Sequence, residues 1–349
     1  MKKINYSKGL YEVYSLQFSN SVKKIPKGQI KYHKKNFIRY FKIKEKNFKN
    51  KSVFDTGAGP GVHSVILALM SKNVLAADFL KINVGRIKKL KKIYKLKNLE
   101  AIKFDFIKNF KNTNKFDLIS CHNWIQHTPN PQKIFSQLIL NMKLNSRVYI
   151  SCYLAGTFRF FITQIARSIL SLKDFKTLRK QLKIVFKDGF KKYNNIHDIN
   201  EFSITDDFFS PYVVTTNYKQ VIRLSEKCGL KLITKVPNFK KNLEFYDTHQ
   251  LKLGFQKVKD IERASLGKIY TKPLDEFSLS KNNYRKKSVK LGKKIIKEFK
   301  KKKYSSVVKT NFCLNLYKIR AENNKKNNEI KYTKLYNYLS KFIEYGYND

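Results

Sequence analysis

The sequence has few cysteines and no long apolar run, and each absence excludes a class of protein. The four cysteines, Cys121, Cys152, Cys228 and Cys313, lie far apart and form no CxxC or Cys/His metal-ligand spacing. We therefore expect no disulfide framework, zinc knuckle or other metal site. No stretch of about 18 apolar residues occurs, and the first residues lack the apolar segment of a secretory signal. These absences predict a cytoplasmic chain with no membrane span.

Acidic residues and arginine are also scarce, and both facts affect what the net charge indicates about binding partners. The chain has 25 acidic and 74 basic residues, so its formal net charge is +49 at pH 7. That excess favours a polyanionic partner such as nucleic acid. Only 10 of the basic residues are arginine and 64 are lysine. Because arginine supplies the planar fork that grips phosphate and reads guanine, we expect a diffuse positive field and keep RNA as the alternative partner.

The remaining composition is that of a folded chain built from alternating strands and helices. Its 349 residues suffice for about two domains, and 42% of them are hydrophobic. Short apolar runs at 52–55, 73–78, 101–105, 116–121 and 147–152 are separated by helical patterns. This alternation predicts a doubly wound α/β fold with a mostly parallel sheet and right-handed crossovers.

Changes in composition divide the chain into seven predicted segments. They are a helical N-terminal leader or lid (1–48), an α/β core (49–155), a mostly helical insertion that caps the substrate (156–211), a continuation of the core (212–235), a Lys-rich insertion (236–305), a last core strand (306–320) and a polar, helical tail (321–349). The last strand is predicted from the apolar run 311–317.

The strongest local signal is a glycine-rich turn between the first strand and the first core helix. It reads Asp55-Thr56-Gly57-Ala58-Gly59-Pro60-Gly61. Its three glycines let the backbone turn tightly and approach a ligand, and Asp55 can meet a cationic or hydrogen-bonding group. A carboxylate at this position disfavours a dinucleotide pyrophosphate, and the absence of a following Gly-Lys-Ser/Thr excludes a P-loop.

With this motif the chain resembles the class I S-adenosylmethionine-dependent methyltransferases, and in particular the type 11 methyltransferase domains. Asp78 ends the second strand 21 residues after Gly57, and Asp105 follows the third. The resemblance implies a Rossmann-like seven-stranded sheet and S-adenosylmethionine as cofactor. It also implies that Asp78 contacts the ribose and Asp105 the adenine. The full predicted set of cofactor-binding residues is Asp55, Gly57, Ala58, Gly59, Gly61, Asp78, Phe79, Asp105, Phe106 and Asn123.

The loop after the fourth strand supports the same resemblance. It contains His127-Thr128-Pro129-Asn130-Pro131, a string common in the type 11 domains. His127 is the candidate catalytic residue, because histidine can act as a general base near neutral pH, although a His beside Thr-Pro also serves to order a loop. His122 and His63 are weaker candidates. No metal ligands are predicted.

The function expected from the sequence is methyl transfer to an oxygen or nitrogen of a small-molecule or glycan-type acceptor. Two alternatives stay open. One is an RNA methyltransferase that uses the basic surface, and the other is a non-catalytic protein that binds S-adenosylmethionine. Methyl transfer is an in-line displacement in which positioning supplies much of the acceleration, so the absence of a visible catalytic triad does not argue against an enzyme.

Overall fold

A computed structural model describes residues 22–107, 115–187, 201–236, 250–261, 274–279, 282–321 and 328–345. The predictions made above for residues between and beyond these ranges lie outside the described part of the chain. The described residues form two compact units. The first unit contains residues 22–107, 115–154, 211–236 and 250–261, and the second contains the remainder.

The first unit is built on one sheet, with eight strands in the described part of the chain. They are Ser52–Thr56 (β1), Asn73–Asp78 (β2), Leu99–Lys103 (β3), Phe116–Cys121 (β4), Met142–Leu154 (β5), Thr215–Thr216 (β6), Leu230–Val236 (β7) and Gln250–Lys257 (β8). The order is β3-β2-β1-β4-β5-β8-β7, and β6 pairs with β5. Strands β1 to β6 pair in parallel, whereas β8 runs antiparallel to both β5 and β7.

This sheet confirms the predicted α/β fold with two differences. It has eight strands where seven were expected, because β6 and β8 were not predicted, whereas the strand predicted over 306–320 is absent from the sheet. The strand predicted at 101–105 is Leu99–Lys103, so Asp105 lies in the turn after it. The strands at 73–78 and 116–121 end where their apolar runs end, and β1 ends one residue after its run, at Thr56.

Helices cover both faces of the sheet. In the first unit they are Lys27–Phe41 (α1), Glu45–Phe48 (α2), Val62–Ala68 (α3), Lys81–Ile93 (α4), Pro131–Ile139 (α5) and Tyr218–Lys227 (α9), with a 3-10 turn at Ile125–His127. Helix α1 buries Phe37, Tyr40 and Phe41. The Asn130 side chain caps α5 by accepting from Lys133 N, and Pro131 occupies the first turn, where no amide donor is needed.

The prediction of a last core strand over 306–320 is wrong. Residues Ser306–Ala321 form a helix (α11) in the second unit. Val308, Phe312, Leu316 and Tyr317 are buried, and so are neighbours on the opposite side of the helix. Because this helix is buried around most of its circumference, its apolar run is nearly continuous and resembles that of an interior strand.

The prediction of one Lys-rich insertion over 236–305 is also wrong, because this stretch contributes to both units. Strand β8 lies inside the main sheet between β5 and the edge strand β7, and its side chains Leu251, Leu253 and Phe255 are buried. Residues Asn283–Lys301 form a long helix (α10) of the second unit. The alternation in β8 is short and polar residues flank it, so it gave little signal.

The second unit is helical in its described residues. Its helices are Phe158–Ile169 (α6), Phe175–Lys187 (α7), Glu201–Phe209 (α8), α10, α11 and Asn328–Tyr345 (α12). The Arg159 guanidinium donates to both carboxylate oxygens of Asp207 at 2.7 and 3.0 Å, and both side chains are buried. A guanidinium and a carboxylate removed from water each need such a partner, so this ion pair fixes α6 against α8.

Candidate functional site

The glycine turn connects β1 to α3 through backbone conformations that require glycine. Gly57, Gly59 and Gly61 have φ values of 60°, 54° and 88°. A β-carbon on Gly57 would lie 2.2 Å from Trp124 Cγ, and one on Gly61 would lie 2.6 Å from Ile87 Cγ1. A β-carbon on Gly59 would meet nothing within 4 Å, so the backbone there faces open space that a ligand can approach.

Asp55 lies beneath this turn and does not face that space. Its side chain is 1% exposed, and it accepts a hydrogen bond from Ser64 Oγ at 2.6 Å. Burial raises the pKa of Asp55 to about 6, although its hydrogen bonds act in the opposite direction. The structure thus gives Asp55 a bond that ties β1 to the start of α3, where the sequence suggested direct contact with a ligand.

Asp78 lies at the end of β2 beside the glycine turn. Its Oδ2 accepts from Gly59 N at 2.8 Å, while Oδ1 accepts from Leu80 N at 2.8 Å and from Asn83 Nδ2 at 3.1 Å. Burial raises its pKa to about 6, against the effect of these bonds. Because Oδ2 has one such protein donor, it keeps a lone pair for a ligand hydroxyl. The next residue, Phe79, is partly exposed.

Asp105 and Phe106 follow β3 and have different environments. Asp105 is partly exposed, and its Oδ1 accepts from Ile107 N at 2.9 Å. Phe106 is buried, with ring centroids 4.6 Å from Trp124 and 6.1 Å from Phe54. Phe106 therefore forms part of an apolar wall next to the glycine turn, whereas Asp105 keeps its side chain at the surface.

The residues that follow β4 pack against the glycine turn. Trp124 lies against Gly57, and its indole Nε1 donates to Thr56 Oγ1 at 3.1 Å. Asn123 has a φ of 55°, and its Oδ1 accepts a short hydrogen bond from Ser151 Oγ. Trp124 thus packs on the turn and, with Phe106, forms an apolar wall beside it.

His127 is buried, and protein groups contact both of its ring nitrogens. Nδ1 lies 3.1 Å from the Tyr212 carbonyl oxygen, and Nε2 lies 3.2 Å from the Tyr153 hydroxyl. A carbonyl only accepts, so Nδ1 carries the proton and donates, and Nε2 accepts from Tyr153. This pairing supports a role in ordering the loop, and the catalytic role predicted for His127 stays a prediction.

Three histidines, His33, His63 and His122, form a cluster that the sequence analysis did not predict. The ring of His63, at the start of α3, lies 4.6 Å from His33 of α1 and 4.3 Å from His122, which follows β4. His122 Nδ1 lies 2.8 Å from the Tyr149 hydroxyl. Enclosure by protein lowers the pKa of His63 to about 3 and that of His122 well below 6.5, although each ring keeps some exposed surface.

A separate cavity lies on α5 and α9, away from the glycine turn. Its volume is about 120 Å³, and Gln126, Phe135, Cys152, Thr215 and Gln220 are among the residues that line it. None of the predicted cofactor residues lines this cavity.

In the described ranges no three His, Cys, Asp or Glu side chains are grouped so that they could hold a metal ion. Among the helices of those ranges, none combines the length and apolarity needed to cross a membrane.

The fold and the site together define a class of protein. A parallel sheet in the order 3-2-1-4-5, a glycine turn with an open face at Gly59 and a carboxylate at the end of β2 fit an adenosine-containing ligand with ribose hydroxyls. Residues 47–203 match the model of a family described as a methyltransferase domain. This match covers most of the α/β core, so the part of the chain that contains the glycine turn and Asp78 is similar to a methyltransferase domain.

Individual relatives give a finer comparison. A ubiquinone biosynthesis O-methyltransferase of Rickettsia prowazekii is 33% identical over 127 residues, which cover 34% of this chain and 49% of that protein. The solved structure of PKMT2 from Rickettsia typhi has a TM-score of 0.51 at 16% identity, covering 70% of this chain and 56% of that one. At such identity the structural likeness shows the fold.

A magnesium protoporphyrin IX methyltransferase from Synechocystis PCC 6803, solved with bound SAH, is also similar. Its TM-score is 0.43 at 14% identity, and the match covers 72% of this chain and 95% of that one. By contrast, this chain spans about half the length of the first two relatives.

Proposed function

We propose that this chain moves a methyl group from S-adenosylmethionine to an oxygen or nitrogen of a small-molecule or glycan-type acceptor. The observation that carries the proposal is the open face at Gly59, with the Asp78 carboxylate bonded to its amide. The bound donor supplies an electrophilic methyl group on a sulfonium. The chain's contribution is to hold donor and acceptor in line and to exclude water.

Each predicted cofactor residue takes a proposed role from its place in the site. Asp78 Oδ2 holds the ribose hydroxyls, and Asp105 meets the adenine from the surface beside Phe79. Phe106 and Trp124 contact the ligand through the apolar wall that they form next to the glycine turn. Asp55 acts indirectly, because its bond to Ser64 fixes the turn. The backbone of residues 57–61 and Asn123 border the methionine half of the ligand.

Two observations favour a polar acceptor that receives the methyl group on oxygen. The Rickettsia prowazekii relative is named as an O-methyltransferase, which supports oxygen as the atom that receives the methyl group. Polar side chains of β5 supply hydrogen-bonding groups next to the loop after β4, since Ser151 donates to Asn123 Oδ1 and the Tyr149 hydroxyl lies 2.8 Å from His122 Nδ1.

A titration of tryptophan fluorescence tests the cofactor site directly. Trp124 is the only tryptophan of the chain and packs on Gly57, so its emission should respond to S-adenosylmethionine. Asp78→Ala should weaken binding by about 10-fold or more, since a charge-assisted hydrogen bond contributes about 1.5–3 kcal/mol. Asp260→Ala, the same change at an exposed aspartate of the first unit, is the matched control. Equal affinity in both variants would refute the role of Asp78.

An RNA acceptor is the second candidate, and the helix Asn283–Lys301 is the observation that favours it. The exposed lysines of this helix and the residues after it form one basic surface; they are Lys286, Lys287, Lys290, Lys293, Lys294, Lys297, Lys300, Lys301, Lys302 and Lys303. RNA bound there by phosphate contacts would lose affinity steeply as salt rises. A flat salt response would count against this acceptor.

Label transfer separates all the alternatives. Purified protein, methyl-labelled S-adenosylmethionine and a lysate of its host are incubated, and label is followed into small-molecule, glycan, protein and RNA fractions. Label in the first two fractions supports the proposal, and label in RNA supports the alternative. Fluorescence-detected binding of S-adenosylmethionine without transfer to any fraction would indicate a non-catalytic binding protein.

A further inference from the structure

The cavity on α5 and α9 lies on the face of the sheet opposite α1. Ile150 and Cys152 of β5 line the cavity. Because strand side chains alternate between faces, they point away from Tyr149, which stacks on Tyr40 of α1 at 4.4 Å. Every residue that lines the cavity belongs to the first unit. The cavity is therefore formed within one unit, between the sheet and two of its own helices.

The described residues that line this cavity carry no charge. They include no lysine, arginine, histidine, aspartate or glutamate, although 28% of the chain is charged. The Cys152 thiol is neutral as well, because burial raises its pKa to about 12. A charged ligand would lose its hydration in this cavity without gaining a counterion, which is costly. The lining therefore favours an uncharged ligand and disfavours a phosphate or a carboxylate.

Gln126 brings unused hydrogen-bonding capacity to the wall of the cavity. Its side chain is buried, and neither Nε2 nor Oε1 has a hydrogen-bond partner in the described ranges. Its backbone is held in place, because its carbonyl oxygen accepts from Val214 N at 2.9 Å. By contrast, the amide of Gln220 is engaged, since its Oε1 accepts from Thr216 Oγ1 and Asn217 N. A buried amide without partners is unfavourable, so a ligand that pairs with Gln126 would be stabilised.

The chemistry of the glutamine amide indicates which ligand group pairs with it. The amide carries N–H donors and a C=O acceptor on neighbouring atoms. The complementary group also holds an N–H and a C=O side by side, in the cis arrangement that a cyclic amide enforces. Such a ring forms two parallel hydrogen bonds with Gln126, whereas a ketone or an ether would pair with Nε2 alone and leave Oε1 unsatisfied.

The volume of the cavity limits the size of the ligand. It is about 120 Å³, and an apolar cavity of about 150 Å³ is known to accept benzene. A single ring of about six atoms is therefore the largest ligand expected, with its carbon atoms against Phe135, Ile150 and Leu224. Partly exposed residues, Asn130 and Thr216 among them, also line the cavity, so a ligand can enter it from the surface.

We propose that this cavity is a binding site for a small, uncharged cyclic amide, whose N–H donates to Gln126 Oε1 and whose C=O accepts from Gln126 Nε2. The inference does not depend on the proposed function, because none of the proposed cofactor residues lines the cavity. The probe is δ-valerolactam, and saturation-transfer NMR measures its affinity. We expect a Kd in the millimolar range or tighter. Cyclohexanone keeps the ring and the C=O but lacks the N–H, so it should bind about 10-fold or more weakly.

Gln126→Leu tests the amide itself at nearly constant side-chain volume. It should weaken binding of δ-valerolactam by about 10-fold or more. Urea unfolding should show a stability at least that of the wild type, because the change removes two buried, unpaired atoms. Gln137→Leu, the same change on α5 outside the cavity lining, is the matched control and should bind the lactam normally. The inference is overturned if wild-type protein shows no saturation transfer to δ-valerolactam, if it binds cyclohexanone equally well, or if folded Gln126→Leu binds the lactam unchanged.

Discussion

Replacing Gly57 by alanine should separate the packing of the glycine turn from its backbone conformation. The new β-carbon would lie 2.2 Å from Trp124 Cγ, far inside normal contact distance, and the φ of 60° disfavours any side chain. The left-handed conformation costs about 1–2 kcal/mol. Overpacking against a large ring costs about 1–3 kcal/mol more. We therefore expect Gly57→Ala to lower the free energy of unfolding by about 2–5 kcal/mol.

Gly59→Ala is the matched control for this change. Its φ of 54° carries the same backbone cost, but its β-carbon would meet nothing within 4 Å. It should therefore lose only about 1–2 kcal/mol of stability. Urea unfolding of both variants, followed by circular dichroism, isolates the contribution of the Trp124 contact as the difference between them.

Cofactor affinity should distinguish the two variants further. Gly59→Ala adds a methyl group to the face proposed to receive the cofactor, so it should lose binding while keeping most of its stability. Gly57→Ala should also shift the emission of Trp124 in the absence of ligand, because the ring must move. Equal losses of stability, together with unchanged Trp124 emission in both variants, would refute this account of the turn.

Three further predictions concern other parts of the chain. Gly254→Ala would place a β-carbon 2.0 Å from the Tyr40 carbonyl oxygen, so amide exchange in helix α1 should accelerate, and unchanged exchange would contradict this packing. Arg159→Met should cost about 3–5 kcal/mol in urea unfolding by leaving Asp207 unpaired in the interior, and adding Asp207→Leu should recover most of the loss. Burial raises the pKa of Asp55 to about 6, so the folded chain keeps this proton to higher pH than the unfolded chain. Stability should then fall by up to about 3 kcal/mol between about pH 4 and 6, and Asp55→Asn should flatten that slope in unfolding measured against pH.

The parts of the fold that sequence patterns predicted are those with local signals. Strands β1, β2 and β4 were predicted closely because each is a short apolar run ended by a turn. Helix α11 and strand β8 were not, since what distinguishes them is their tertiary environment. An apolar run is the same in a buried helix and a buried strand, and only the packing of α11 in the second unit decides between them.

The candidate site likewise has one part that local sequence signals predicted and another that only tertiary packing brings together. The glycine turn and Asp78 belong to one strand-turn-helix-strand segment, and the sequence predicted their proximity. His33, His63 and His122 come from three separate segments and meet only because α1 folds over the carboxyl ends of the strands. No spacing in the sequence predicts that meeting. The indirect role of Asp55 was also hidden, because burial under the turn depends on the packing of α3 on β1.

The four cysteine thiols can be used to follow how the two units of this chain unfold. All four lie in described parts of the chain and are free and buried, and burial raises the pKa of each, to about 12 for Cys152 and Cys228. Alkylating reagents attack the thiolate, so the native protein should resist modification. Cys313 belongs to the second unit and the other three to the first. Pulses of alkylating reagent during denaturation would therefore time the opening of each unit separately, with mass spectrometry assigning each modified peptide to its unit.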